Sequence, residues 1–263
     1  MDFGIRGKTA VVCGSSQGLG RAIADSLAAE GVNLVINSRS PDKLLAVKAE
    51  IVEATGANVE AVPLDLTPAD GATDLISAAE RAFGQVDILV TNTGGPPAGM
   101  FEDHDADVWR DAIAQNFESV VNLVRAALPG MKERGWGRIV NVTSISVKQP
   151  VEGLILSNSI RAGVTGFAKT ISNEVAPFGI TVNNVLPGYT RTERLIHLAE
   201  AVSERDGKTI EEVYESWADE IPLGRLAEPP ELGDVTAFLC SEQASYVTGQ
   251  SIAVDGGWIK GLI

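Results

Sequence analysis

The stretch CGSSQGLG, Cys13 to Gly20, carries three glycines in the spacing Gly-x-x-x-Gly-x-Gly, between an apolar run and an amphipathic one. That arrangement suits the binding of phosphate. Gly14 permits a tight turn, Gly18 lets backbone approach a pyrophosphate, and Gly20 allows a helix to pack closely on the preceding strand. The helix that follows offers unpaired N–H groups and the positive end of its dipole to an anion. A glycine triplet alone is weak evidence, but a strand–turn–helix setting makes it strong.

The elements that must position this turn alternate along the chain. Short runs rich in Val and Ile predict strands at Thr9–Cys13, Asn33–Asn37, Asn58–Pro63, Val86–Thr91, Arg138–Thr143, Thr181–Leu186 and Ser251–Val254. They lack clean polar alternation, as strands buried on both faces do. Between them lie helical patterns. Gly18–Glu30 places Leu19, Ile23 and Leu27 on one face and stops at Gly31; Pro41–Thr55 follows Ser40 as a cap, and Pro68–Phe83 follows Thr67 in the same way. This alternation implies one doubly wound α/β domain of Rossmann type over residues 1–263, with a mainly parallel seven-stranded sheet and helices on both faces. No linker rich in Pro, Gly or Ser divides it. Residues 193–221 break the rhythm: they are polar and acidic, with Ile210, Val213, Tyr214, Trp217 and Ile221 at helical spacing. Two readings stand side by side, a surface helix packed on the core and a lid over a substrate cleft.

Composition narrows the function classes. The 263 residues carry a formal charge of −14, which opposes nucleic-acid phosphates and anionic membrane surfaces. With no basic cluster, no signal-like segment and no apolar run of about 18 residues, a soluble cytoplasmic protein acting on a small molecule is expected. Cys13 and Cys240 read as buried thiols in a reducing compartment. His104 and His197 lack metal-ligand spacing, so no metal site is expected.

Beyond the glycine turn, a series of motifs falls in order along the chain. Asp65 lies in VPLDLT, Asn92 in TNTGG, Asn116 in QNFESV and Ser144 at the end of NVTS; Pro187-Gly188 is followed by Thr192, and SYVTGQSIAVDGG lies near the C-terminus. Together they resemble the short-chain dehydrogenase/reductase family over nearly the whole chain, and 3-oxoacyl-acyl-carrier-protein reductases within it. Thr93 and Gly95 depart from the family's Asn-Asn-Ala-Gly element. The resemblance implies a dinucleotide site built from Gly14, Ser16, Gln17, Gly18, Leu19, Gly20, Ser38, Arg39, Asp65, Leu66, Asn92, Gly94, Arg161, Pro187, Gly188, Thr190 and Thr192. In that site Asp65 is the adenine-contacting acid. The end of the second strand reads NLVINSRSPD, and its first acid is Asp42, already in the next helix. An NAD site would place an acid on the ribose 2′-hydroxyl there. Arg39 suits a 2′-phosphate instead, so NADP(H) is expected over NAD(H); a solvated arginine at a helix start is its other reading.

The family's chemistry is hydride transfer between nicotinamide and a carbonyl or alcohol carbon. It uses a Tyr as proton donor, a Lys four residues later, a Ser that orients the carbonyl and an Asn that anchors a water relay. Asn116 and Ser144 match two of these. The Tyr position falls on Ser157 and the Lys position on Arg161, within LSNSIRAG, whose flanks fix the register. Serine's hydroxyl ends several ångströms short of a phenol's reach. The guanidinium keeps a cation for ribose hydroxyls but cannot relay a proton at neutral pH. Tyr189, Lys148 and Ser146 are the other candidates near the reacting carbon. Arg191 and Arg194 could meet an anionic substrate, or be ordinary surface arginines. The leading expectation is an atypical NADP(H)-dependent oxidoreductase, a tetramer by family resemblance. A non-catalytic NAD(P)-binding protein and a non-redox reaction on the same scaffold remain open.

Overall fold

The computed structural model describes residues 2–262. Seven apolar runs form strands β1 (Thr9–Val12), β2 (Asn33–Ser38), β3 (Val59–Pro63), β4 (Ile88–Thr91), β5 (Gly137–Val142), β6 (Ile180–Pro187) and β7 (Ser251–Val254). They lie in one sheet in the order β3-β2-β1-β4-β5-β6-β7, and every neighbouring pair is parallel. β1, β4 and β5 are buried at every position, which explains why these strands show no alternation.

Helices cover both faces. On one side α1 (Gly18–Ala29) and α2 (Pro41–Thr55) pack Ile23, Leu27, Leu44, Val47 and Ile51 against the sheet, beside Leu232 and Ala237 of α9 (Pro229–Leu239). On the other, α3 (Gly71–Phe83), α5 (Ser119–Arg134) and α6 (Ile155–Val175) contribute Leu75, Ile76, Leu123, Met131, Ala168 and Val175. Each such Leu or Ile contributes roughly 1.5–3 kcal/mol on burial. A shorter helix, α4 (Ala106–Ile113), leads into a π-turn at Ala114–Glu118 before α5 begins.

Residues 193–221 form two helices, α7 (Glu193–Asp206) and α8 (Ile210–Glu220), joined at Gly207. Val213, Trp217 and Ile221 are buried together with Leu195, Leu186 and Trp258, while Ile210 and Tyr214 are half-buried. Thr209 and Glu212 cap α8 reciprocally, each side chain accepting from the other's backbone N–H. The segment therefore packs on the carboxyl end of the sheet through the stripe that its spacing predicts.

Several boundaries differ from the sequence expectation. α3 begins at Gly71, not Pro68, because residues 68–70 make a turn closed by the Gly71 N–H on the Pro68 carbonyl at 3.1 Å. Ser40 occupies the N-cap of α2, yet its side chain caps nothing; its own N–H donates to the Ser38 hydroxyl at 3.2 Å. β4 starts two residues late, although the Asp87 backbone already bonds both neighbours, its N–H donating to the Thr9 carbonyl at 2.9 Å and its carbonyl accepting from the Arg138 N–H at 3.0 Å; its carboxylate also accepts from the Thr9 N–H at 3.0 Å and the Gln85 amide at 2.8 Å. Lys8 at 4.0 Å and Arg134 at 3.7 Å neutralise this carboxylate, which is 1% exposed.

Cys13 and Cys240 are free and fully buried, and burial pushes both thiols up to about 12. No helix among the described residues is long and apolar enough to cross a membrane.

Asp87→Ala would leave the Thr9 N–H and two cations without their acceptor. It is expected to lower unfolding stability by about 3 kcal/mol, read as a shift in the urea midpoint.

Candidate active site

At the carboxyl ends of the strands lies a cleft of about 550 Å³. It opens where the strand order reverses, with β1 between β2 and β4. The turn from β1 to α1 forms its floor. Gly14 has φ +59°, and a Cβ there would stand 2.8 Å from the Asn92 amide nitrogen. Gly18 has φ +58° and faces Thr192 across the cleft, 3.5 Å from that side chain to a notional Cβ. A Cβ on Gly20 would lie 2.2 Å from the Gly14 carbonyl oxygen, so only glycine lets α1 approach β1 this closely. Asn92 locks the turn by donating to the carbonyls of Cys13 and Gly14, both at 3.3 Å. No side chain caps α1, and its first turn holds no acid, so its N-terminal N–H groups are available to phosphate.

Beyond β2, Ser38, Arg39, Asp65 and Leu66 line the opposite end of the cleft together with Lys43. Asn37 does not present its amide to this end: it donates to the carbonyls of Val62 and Leu64, both at 3.0 Å, and holds β2 to β3. The Thr67 N–H, at 3.0 Å, holds the Asp65 carboxyl below its ordinary range, helped by the charge on Arg39. Among the described residues no carboxylate lies within ion-pair distance of Arg39. Gln17 accepts from the Lys43 ammonium at 2.7 Å and donates to Glu193, so one side chain ties the glycine turn to α2 and α7. Neither Lys43 nor Glu193 stood out in the sequence. Lys43 has one signal in retrospect, its place on the first turn of α2, four residues past Arg39.

At the other end, Ser144 follows β5 and accepts from the Ser146 N–H at 3.1 Å. Ser157 and Arg161 sit one turn apart on α6, each 8% exposed, and both line the cleft with Ser144 and Thr143. Arg161 donates through Nη1 to the Val142 carbonyl at 2.8 Å. Burial pushes its guanidinium down to about 10, with the charge of Arg194 adding to the effect. Arg194 reaches from α7 over Gly95 and donates to the Pro96 carbonyl at 2.7 Å.

Asn116 lies behind the cleft wall in the π-turn, 1% exposed. Its Nδ2 donates to the Ala112 carbonyl at 3.2 Å, and its Oδ1 accepts from the Thr93 hydroxyl at 2.9 Å. Thr93, which lines the cleft, is thus what connects Asn116 to it. Tyr189 lines the cleft but is stacked on Trp217, with centroids 4.9 Å apart, and meets Trp258 edge-on at 6.0 Å. Burial, and then the carboxylate of Glu220, pushes its phenol up to about 12. This aromatic box draws on three distant segments, which is why no local pattern reveals it. Lys148 is exposed and Ser146 buried, and neither lines the cleft. Pro187, Gly188 and Thr190 do, while Arg191 is exposed and pairs with Glu228 at 3.2 Å. His197 is paired with Glu200 on the surface.

This glycine turn, at a strand-order reversal and continuous with Ser144 on the neighbouring strand end, is the architecture that comparison with known proteins recovers. The family model described as enoyl-(acyl carrier protein) reductase matches residues 14–259. The chain belongs to the short-chain dehydrogenase/reductase family. It is 36% identical over 263 residues to D-beta-hydroxybutyrate dehydrogenase of Cupriavidus necator, covering 97% of this chain and 99% of that one. It is 32% identical to 3-oxoacyl-[acyl-carrier-protein] reductase of Aquifex aeolicus, covering 98% and 99%. Among solved structures, L-sorbose reductase from Gluconobacter frateurii, complexed with NADPH and L-sorbose, superposes with a TM-score of 0.95 at 35% identity, over 100% of both chains. The protein is accordingly an NAD(P)-dependent oxidoreductase.

The stack on Trp217 places the Tyr189 ring in the wall of the cleft. Tyr189→Phe is expected to change kcat by no more than about twofold, whereas loss of a general acid would cost ~10²–10⁴-fold.

Proposed function

We propose that this oxidoreductase uses NADP(H) to interconvert a carbonyl and an alcohol, with Ser144, Ser157 and Arg161 forming a reaction centre that has no phenol. The observation that carries the reading is the continuity of one cleft. It runs from the glycine turn and Arg39 to the three residues Ser144, Ser157 and Arg161.

The residues fit a dinucleotide phosphate. The uncapped start of α1 and the glycine approach at Gly14 and Gly20 provide an anion cradle. Arg39, in a stretch after β2 that holds no acid before Asp42 and with no ion-pair partner among the described residues, favours a 2′-phosphate over a free 2′-hydroxyl. The NADPH-bound L-sorbose reductase supports the same preference. When bound, the cofactor supplies or accepts the hydride.

The chain's own groups then have distinct work. The Ser144 hydroxyl, anchored by the Ser146 N–H, orients the substrate oxygen. Ser157 offers a second hydroxyl but one too weakly acidic to release a proton at neutral pH. Arg161 is steered by the Val142 carbonyl and has further N–H groups for ribose hydroxyls. Its charge also favours an oxygen that gains negative character, as an electrostatic stabiliser does. The proton comes from water, because Ser157 and Arg161 release none at neutral pH and the Tyr189 ring is held in its stack on Trp217. Asn116 acts at one remove by holding Thr93. Residues 193–221 close the outer wall as a lid tied to the glycine turn through Gln17 and Glu193. The same reading takes the protein as a cytoplasmic homotetramer acting on a small molecule; the open edge of β7 and the fully exposed Tyr246 support such an assembly.

Titration of wild type and Arg39→Ala with NADPH and NADH tests the cofactor assignment. NADPH should bind wild type more tightly. The variant should lose roughly tenfold or more for NADPH, the value of one charged hydrogen bond, and nothing for NADH. Equal losses for both cofactors would assign Arg39 no part in the preference.

A further inference from the structure

The reaction end of the cleft holds two guanidinium groups and no carboxylate. Arg161 is 8% exposed, and its one hydrogen bond to protein runs to the Val142 carbonyl. Arg194 comes from the facing helix and is anchored on the Pro96 carbonyl. Among the described residues neither has an acidic side chain within ion-pair distance. The two carboxylates that line the cleft are engaged elsewhere: Asp65 accepts from the Thr67 N–H at the cofactor end, and Glu193 accepts from Gln17. In a chain of net charge −14, this is a local excess of positive charge.

Arg194 is exposed at the rim and keeps its water, but the buried position of Arg161 is costly without a counter-charge. A buried cation normally has a partner, and the field of Arg194 works against Arg161 rather than relieving it. The surrounding polar groups point the same way. Ser144 and Ser157 supply two hydroxyls. Thr143 lines this end as a buried residue, its hydroxyl turned away from the cleft. On the apolar side, Ile145, Val151, Leu154, Leu195 and Leu198 leave room for a short carbon chain.

We propose that Arg161 and Arg194 form an oxyanion-binding pair that selects substrates bearing a carboxylate close to the carbonyl or alcohol carbon, that is, short oxo or hydroxy acids. The proposal names the substrate class of the proposed carbonyl–alcohol reaction and rests on that reading for the identity of the reacting group. Two arginines present a planar set of donors that matches a carboxylate in geometry. Arg161 then serves twice: with Nη1 on the Val142 carbonyl, its remaining in-plane N–H groups are shared between the ribose hydroxyls and the acid. The same chemistry would also suit the cofactor's pyrophosphate, so the test separates the two anions.

Acetoacetate, malonate and methyl acetoacetate are titrated by calorimetry into enzyme already saturated with NADP⁺, where no hydride can move and turnover plays no part. The two acids should bind at least about tenfold more tightly than the ester, the value of one charge-assisted hydrogen bond. Arg194→Gln should remove most of that difference, Arg194→Lys should retain part of it, and NADP⁺ affinity should stay unchanged in both. Arg194 lies at the rim of the cleft, so these variants leave the core intact; Arg161→Gln is the second probe. Equal binding of acids and ester, including no detectable binding of any of them, overturns the proposal. Weaker NADP⁺ binding by Arg194→Gln with the acids unaffected also overturns it, and assigns the pair to the pyrophosphate. An enzyme that reduces neutral ketones yet ignores acids would leave the hydride-transfer reading standing without this one. Acid binding without turnover would do the reverse.

Discussion

The site depends on one topological constraint: the sheet is wholly parallel and its order reverses between β1 and β4. Parallel strands bring every carboxyl end to the same edge, and the crossovers on either side of the reversal diverge to opposite faces. The crevice left between them is where the Gly14–Gly20 turn, the Asn92 loop and the Ser144 loop meet. Close approach is essential at this point. Gly14 and Gly20 leave no space for a Cβ, and Asn92 satisfies the two carbonyls that the turn exposes. The cradle is therefore rigid before any ligand arrives, which lowers the ordering cost of binding.

From that cradle the cleft runs toward α6, and there the electrostatics change character. An amine at position 161 could lose its proton under burial and take part in proton transfer. A guanidinium keeps its charge even when burial and Arg194 push it down to about 10, so it can bind and stabilise but not relay. Ser157 alongside it supplies a hydroxyl with no route to a low pKa. In the proposed reaction, charge stabilisation is thus the principal catalytic resource of this end, and protonation falls to water. Tyr189, held by Trp217 and Trp258, and the side chains of Leu195 and Leu198 form the apolar part of the wall there.

Much of this was legible in the sequence because it is local. The glycine spacing, the Val- and Ile-rich strands and the Pro41 helix start are short-range patterns, and each lies within a residue or two of its expected place. The register of LSNSIRAG followed from its flanks, which placed Ser157 and Arg161 on one helix face. What escaped was non-local. The amide of Asn37 is spent on the Val62 and Leu64 carbonyls, a tie between β2 and β3 that no local pattern shows. The Lys43–Gln17–Glu193 tie joins three segments far apart in the chain, and the connection of Asn116 to the cleft through Thr93 spans two more. For Arg194 the sequence left two readings, an anionic-substrate contact or a surface arginine, and only its reach from α7 over Gly95 sets it at the cleft. Spacing reports which residues share a face; it does not report which faces meet.

The central claim is that a reaction centre of Ser144, Ser157 and Arg161 moves a hydride without a phenol. Single-turnover mixing of the NADPH-bound enzyme with excess carbonyl compound, followed by the loss of reduced-nicotinamide absorbance, tests it directly. Acetoacetate, L-sorbose and a 3-oxoacyl thioester sample the chemistry of the relatives. Oxidation of bound NADPH by wild type with at least one of them, slowed by roughly a hundredfold or more in Ser144→Ala, is the predicted result. No oxidation by wild type, with robust oxidation after Ser157→Tyr/Arg161→Lys, would contradict the account.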